Sequence, residues 1–245
     1  MSYLIIGASS GLGKDLAYEL AKKKNNLILI SRDIRDLKIL KSDLEIKYKI
    51  KANILQLDFS KIEAVKKKLN LRSVVLKKAK NILFPIGQMH DRDNISLKTE
   101  DGISLIFSNF ISITYVVSNF IKIKREGSII GFGSVSSSLG RRENSFYSSS
   151  KRALESYFES LMVSNTNKKI YIQFYTLGFL DTNLSFGRKL FLPKGSTKKL
   201  SKIVYKNRLE SNKKIYFPIW WSSVLLIIKI LPFKIILFLL KILNK

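Results

Sequence analysis

The chain contains no cysteine. A disulfide framework, a thiolate metal site and a cysteine nucleophile are therefore excluded, and the composition fits a reducing compartment. Histidine is almost as scarce. His90 stands alone, which argues against a zinc site and against a Ser-His-Asp triad. Acidic residues number 18 against 44 lysines and arginines, for a formal net charge of +26. The basic residues are scattered, with no basic tail and no nucleic-acid-binding motif, so no nucleic-acid partner is expected and attraction to anionic lipid or phosphate stays open. No charged leader precedes the apolar run Tyr3-Leu4-Ile5-Ile6. A secretory signal is therefore not expected, and the expected location is cytoplasmic.

What is present is a folding sequence: 245 residues, 46% hydrophobic and 11% aromatic, enough for one α/β core. Apolar runs at residues 3–6, 27–30, 54–57, 82–86, 128–132 and 170–175, with a short one at 215–217, read as strands. Helical patterns at 12–24, 34–48, 61–69, 102–123 and 144–164 separate them. This alternation predicts a doubly wound parallel sheet in a three-layer α/β/α arrangement. Residues 181–202 are polar and basic and read as a loop or flap.

The first strand runs into Gly7-Ala8-Ser9-Ser10-Gly11-Leu12-Gly13, and a helical pattern starts at once. Glycines at these positions permit a sharp turn, a close approach of main-chain N–H groups to a pyrophosphate, and tight packing of the helix on the sheet. The helix N-terminus would face the negative charge. The second strand ends in Ser31-Arg32-Asp33. An NAD site places a carboxylate here for the ribose 2′-hydroxyl, whereas Arg suits a 2′-phosphate. With Ser31 in the acidic position and Arg32 after it, NADP(H) is favoured over NAD(H). Asp33 leaves two readings open: an inward carboxylate or a cap for the next helix.

Tyr147 and Lys151 lie four residues apart at the start of a helical pattern and so share one face. A cation one turn away stabilises a phenolate and draws the phenol towards acid-base work. Ser134 closes the fifth strand, where its hydroxyl can reach a substrate carbonyl. Asn109 falls among apolar residues in the middle of the 102–123 pattern, and a buried amide there needs partners. It is either a satisfied structural Asn or the holder of a relay water.

The set Gly7-x-x-x-Gly11-x-Gly13, Asn109, Ser134 and Tyr147-x-x-x-Lys151 resembles the single-domain branch of the short-chain dehydrogenases/reductases, over about residues 1–217. The resemblance implies a Rossmann-like fold and catalytic roles for Asn109, Ser134, Tyr147 and Lys151. Tyr147 would be the general acid in reduction, Lys151 its electrostatic partner and ribose contact, Ser134 the carbonyl-orienting hydroxyl and Asn109 the anchor of a relay water. It implies cofactor contacts at Gly7, Ser9, Ser10, Gly11, Leu12, Gly13, Arg32, Asp58, Phe59, Gly87, Tyr147, Lys151 and Thr182. Asp58 matches the adenine-contacting position, and Thr182 the one beside the nicotinamide carboxamide. A homo-oligomer is also implied. The departures are Phe84-Pro85-Ile86-Gly87 in place of Asn-Asn-Ala-Gly, Leu177 in place of Pro before Gly178, and Gly133 before Ser134.

Residues 218–245 form a hydrophobic C-terminal segment beyond the expected catalytic domain of residues 1–217. Lys229, Pro232 and Lys234 interrupt it, so two short helices broken at Pro232 fit better than one membrane span. Trp220 and Trp221 suit a membrane interface, and an interfacial anchor on the cytoplasmic face is expected, with an arm over the substrate pocket or a subunit contact as the alternative. With the basic residues Arg188, Lys189, Lys194, Lys198, Lys199 and Lys202, this suggests a lipophilic or lipid-linked carbonyl substrate. The expected activity is NADPH-dependent reduction of a ketone. The alternatives are a soluble 3-oxoacyl-thioester reductase and a catalytically silent NADPH-binding sensor or scaffold.

Overall fold

Strands of almost unbroken apolar residues can be stable only where both sheet faces are covered. The computed structural model meets that condition; it describes residues 2–91, 93–94, 96–140, 143–165, 169–182 and 193–243. Seven strands form one parallel sheet: β1 Ser2–Ile6, β2 Asn26–Ser31, β3 Ala52–Gln56, β4 Asn81–Phe84, β5 Glu126–Ser134, β6 Lys169–Leu177 and β7 Lys213–Phe217. Their order is β3-β2-β1-β4-β5-β6-β7, so the winding direction reverses between β1 and β4. A crevice opens at such a switch point, beyond the carboxyl ends of the strands.

The helices are α1 Gly11–Lys22, α2 Ile34–Tyr48, α3 Ile62–Lys68, α4 Val74–Lys78, α5 Thr99–Ile106, α6 Ser112–Ile123, α7 Ser145–Ser164, α8 Thr197–Asn207, α9 Trp221–Ile230 and α10 Phe233–Leu243. Alternate residues of each strand feed opposite cores. Tyr3 and Ile5 of β1 join Leu16 and Leu20 of α1, Leu37 and Leu40 of α2 and Leu200 of α8 on one side. Leu4 and Ile6 join Val65 of α3, Leu76 of α4, Val116 and Phe120 of α6 and Leu154 and Phe158 of α7 on the other. The result is the Rossmann-like three-layer arrangement that the strand-helix alternation predicts.

The pattern at 102–123 is helical throughout, as expected, within a helix that runs from Thr99 to Ile123; α5 and α6 are joined without a break by one π-helical turn, Phe107–Ile111, in which the Ser112 N–H reaches the carbonyl of Phe107. One expectation needs correction: 181–202 is not wholly a loop. Ser196 caps α8 through its hydroxyl, which accepts from Lys199 N, so Lys198, Lys199 and Lys202 lie on a helix whose Leu200 and Val204 are buried. Lys194 precedes that helix, whereas Arg188 and Lys189 lie outside the described residues. At the C-terminus, α9 and α10 are separate helices with Pro232 between them.

Candidate functional site

A cavity of about 970 Å³ lies at the carboxyl ends of the central strands. It brings together residues far apart in sequence: Gly7, Ser9, Ser10, Gly11 and Leu12, Arg32, Asp58 and Phe59, Gly87, Ser134, Tyr147 and Lys151, and Thr182. Of the expected site residues, Gly13 and Asn109 do not line it; both stand behind the wall and support it.

The glycine turn is built for close approach. Gly7 takes φ +94°, and a Cβ there would come within 2.9 Å of the Ile86 main chain, while a Cβ on Gly13 would overlap the carbonyl of Gly7. Thus α1 leaves the sheet edge with its first turn aimed into the cavity. Its N-cap Ser10 is extended and its side chain caps no N–H, and no acidic residue stands in that turn. Uncapped amides at a helix start carry partial positive charge and suit a phosphate. Thr182 stands across this turn, its methyl carbon 3.3 Å from where a Gly11 Cβ would be.

At the end of β2 the open question about Asp33 is resolved. Its carboxylate accepts from Arg35 N at 2.8 Å and Asp36 N at 3.3 Å and so caps α2. The Arg35 guanidinium bonded to it, and then those two main-chain bonds, hold the carboxyl below the usual range. Ser31 Oγ is paired with Ser9 Oγ at 2.7 Å. Arg32 is exposed and lines the cavity, whereas Asp33 does not. Asp58 accepts from Ser60 N and Ser60 Oγ, at 2.9 and 2.8 Å, which fixes the turn after β3. Phe59 is buried there, and its carbonyl accepts from Ser112 Oγ at 2.6 Å.

Asn109 sits within the π turn and is fully buried. Its amide clamps the Gln88 main chain from both sides: Oδ1 accepts from Gln88 N and Nδ2 donates to Gln88 O, each at 2.8 Å. Nδ2 also donates to Ser150 Oγ at 3.2 Å. The side chain thus ties the segment after β4, Gly87 included, to α7.

Lys151 is 2% exposed, and its Nζ donates to the carbonyls of Ile86 and Phe132, both at 3.0 Å. Burial pushes its ammonium down to about 8. The atypical Phe84-Pro85-Ile86-Gly87 segment therefore works twice, with Phe84 filling the core and the Ile86 carbonyl holding the lysine. The Nζ lies 6.0 Å from the centre of the Tyr147 ring. Ser134 ends β5, two residues beyond Phe132, and its Oγ accepts from Ser136 N at 3.2 Å and Ser136 Oγ at 2.8 Å. The Ser134 carbonyl receives Ser137 Oγ at 2.6 Å, which also donates to Glu155 on α7, and Glu155 pairs with Lys214 of β7 at 2.6 Å.

Sequence reading missed one residue that shapes this site. Asp93, 2% exposed, accepts from Ser145 Oγ at 3.0 Å, Phe146 N at 2.9 Å and Tyr147 N at 2.8 Å. The helix's own N-cap, Asn144, is left-handed at φ +65° and caps nothing with its side chain. A carboxylate from the loop after β4 therefore does the capping. Helix capping is normally sought in adjacent residues, so the only available sequence signal was an acidic residue in that loop.

Comparison with known proteins agrees with this geometry. The family model described as short chain dehydrogenase matches residues 2–189. The NADP-dependent 3-hydroxy acid dehydrogenase of Schizosaccharomyces pombe is 28% identical over 190 residues, covering 76% of this chain and 73% of that protein. The 3-oxoacyl-[acyl-carrier-protein] reductase FabG of Buchnera aphidicola is 30% identical over 210 residues, covering 83% and 82%. Among solved structures, a short-chain dehydrogenase from Sphingobium yanoikuyae in complex with NADPH superposes with a TM-score of 0.78 at 20% identity, covering 91% of each chain. The chain belongs to the short-chain dehydrogenases, NAD(P)-dependent oxidoreductases that act on a CH–OH/C=O pair.

Proposed function

We propose that the protein reduces a ketone to an alcohol with NADPH, using Tyr147 as the proton donor. The observation that carries this reading is the buried Lys151 ammonium, held by two main-chain carbonyls 6.0 Å from the Tyr147 ring at the cavity wall. The fit to a dinucleotide rests on the uncapped start of α1 and on the glycine turn that brings it to the cavity. Gly7 to Leu12 would hold the pyrophosphate, Asp58 the adenine end, and Lys151 and Thr182 the nicotinamide end. When bound, the cofactor supplies a hydride. Support for the phosphorylated form comes from β2: Asp33 is committed to α2 and Ser31 to Ser9, which leaves Arg32 as the charged group facing the 2′ position.

The remaining chemistry belongs to the protein. Ser134 orients and polarises the carbonyl oxygen, and the Tyr147 hydroxyl gives that oxygen a proton. The nearby ammonium stabilises the phenolate that forms. Asn109 keeps Gln88 and α7 in register, so that phenol and ammonium stay together. Solvent returns the proton to Tyr147. The test is NADPH oxidation with a panel of ketones. Tyr147→Phe should lose about 10²- to 10⁴-fold in kcat while still binding dinucleotide. A Tyr147→Phe enzyme as active as the wild type would overturn the mechanism. A wild type that binds NADPH but reduces no carbonyl would mark a sensor instead.

A second reading, a 3-oxoacyl-thioester reductase, is favoured by the Buchnera relative and by the +26 charge, which suits an acidic carrier. Turnover of a 3-oxoacyl thioester in place of simple ketones would select it.

A further inference from the structure

We propose that α9 and α10 dock the protein, lying in the plane of the interface, on an anionic phospholipid surface. One face of α9 is already used. Trp221 and Leu225 are buried against Val135, the residue after Ser134, and the Trp221 ring lies edge-on 5.9 Å from that of Phe179, at the cavity wall. A Cβ on Gly178 would overlap the Trp221 indole, so the helix sits hard against the site. Apolar side chains elsewhere on α9 and on α10 are exposed among the described residues. Leu226 and Ile227 are 60% exposed, Ile230 74%, Phe233 67% and Phe238 64%.

Length excludes a span. Helices of 10 and 11 residues reach roughly 15 Å, about half the hydrocarbon thickness of a bilayer. Charge selects the occupant. From Ser211 to the last residue there is no Asp or Glu, whereas Lys229 and Lys234 stand among the exposed apolar side chains. A second copy packed on this face would bring those lysines together with no carboxylate to answer them. An anionic bilayer accepts the apolar side chains and pairs the ammonium groups with phosphates, each lysine adding about fivefold to partition. Through Trp221 and Phe179, α9 then links the lipid-facing surface to the rim of the cavity.

The proposal is independent of the reductase reading, because its readout is partition. Full-length protein prepared without detergent is sedimented with phosphatidylcholine vesicles, with and without about one-third phosphatidylglycerol. Binding is expected to the anionic vesicles and only weakly to the neutral ones. The triple change Leu226→Glu, Ile230→Glu and Phe233→Glu affects exposed positions, and should leave the thermal midpoint unchanged while lowering partition about a hundredfold or more. The pair Lys229→Glu and Lys234→Glu should lower it by at least about 25-fold, two lysines at about fivefold each. Wild-type protein that stays in the supernatant with anionic vesicles would overturn the proposal, as would a triple variant that binds like the wild type. An oligomer broken by the triple change, with no vesicle binding, would assign this face to a second copy and overturn it equally.

Discussion

Lys151 holds its ammonium almost wholly buried at the cavity wall, against two carbonyl oxygens. Burial lowers its pKa from 10.5 to about 8, and the sign of the consequence follows. Between those values the unfolded chain binds more protons than the folded one, so folding stability rises with pH across that window. The penalty is fully present below about pH 8 and is relieved towards pH 10.5, with a total of about 3 kcal/mol from this one group. Urea titrations of Lys151→Met should lack that rise, so the difference between variant and wild type should shrink as pH increases. If the difference were constant from pH 7 to about pH 10, the charge would not be the buried species. The same group should cap activity. Since the ammonium is the working form, kcat/KM for reduction should fall above an apparent pKa of about 8. Arg32 makes a simpler prediction. It faces the cavity without the company of Asp33, so Arg32→Ala should weaken NADPH binding by about 10- to 100-fold, the worth of charge-assisted hydrogen bonds, and leave NADH nearly unchanged. Fluorescence titration with both dinucleotides measures this directly, and equal losses for the two would refute it.

At the scale of elements, α7 carries both Tyr147 and Lys151, yet its N-terminus is capped from outside by Asp93. Asp93→Ala removes three hydrogen bonds, accepted by two carboxylate oxygens, and should cost about 1–2 kcal/mol in urea unfolding, as loss of a good helix cap does. Because the bonded amides include that of Tyr147 itself, kcat should fall with it, and Asp93→Asn should restore part of both. Unchanged unfolding and kcat would show that the helix start holds itself. This contact also marks the limit of what was legible in the sequence. The cores of strands β1 and β2 are continuous apolar runs, α2 is bounded by Asp33 and a periodic pattern, and the glycine turn announces itself by spacing. All of these are local signals. The clamp of Asn109 on Gln88, the remote cap by Asp93 and the Ile86 carbonyl under Lys151 are not local. Each depends on two segments meeting in space, and nothing within either segment encodes the meeting. Helix α8 was hidden for a different reason: its six-residue run Thr197–Lys202 includes three lysines, and only Leu200 and Val204 at spacing four reveal a buried face.

Across the whole molecule, 44 basic residues face 18 acidic ones. The six ion pairs found among the described residues therefore leave most lysines without a carboxylate, and their combined field extends into solvent. A dinucleotide phosphate approaching this surface is drawn in from beyond contact distance, and salt shortens that reach to about 10 Å at 0.1 M. The second-order rate of NADPH binding should therefore fall by about tenfold or more between about 10 mM and 0.3 M salt. NADH, which lacks the extra phosphate, should respond less. Once bound, the ligand meets the working groups at contact distance inside the cavity, where screening by salt has little effect, so kcat should change little over the same range. Stopped-flow binding against steady-state turnover separates the two effects. Parallel slopes for NADPH and NADH would mean that the field is spread evenly and does not favour the phosphorylated cofactor. A steep fall in kcat would mean that salt acts on the fold itself, where +26 charges repel one another, and not on the encounter.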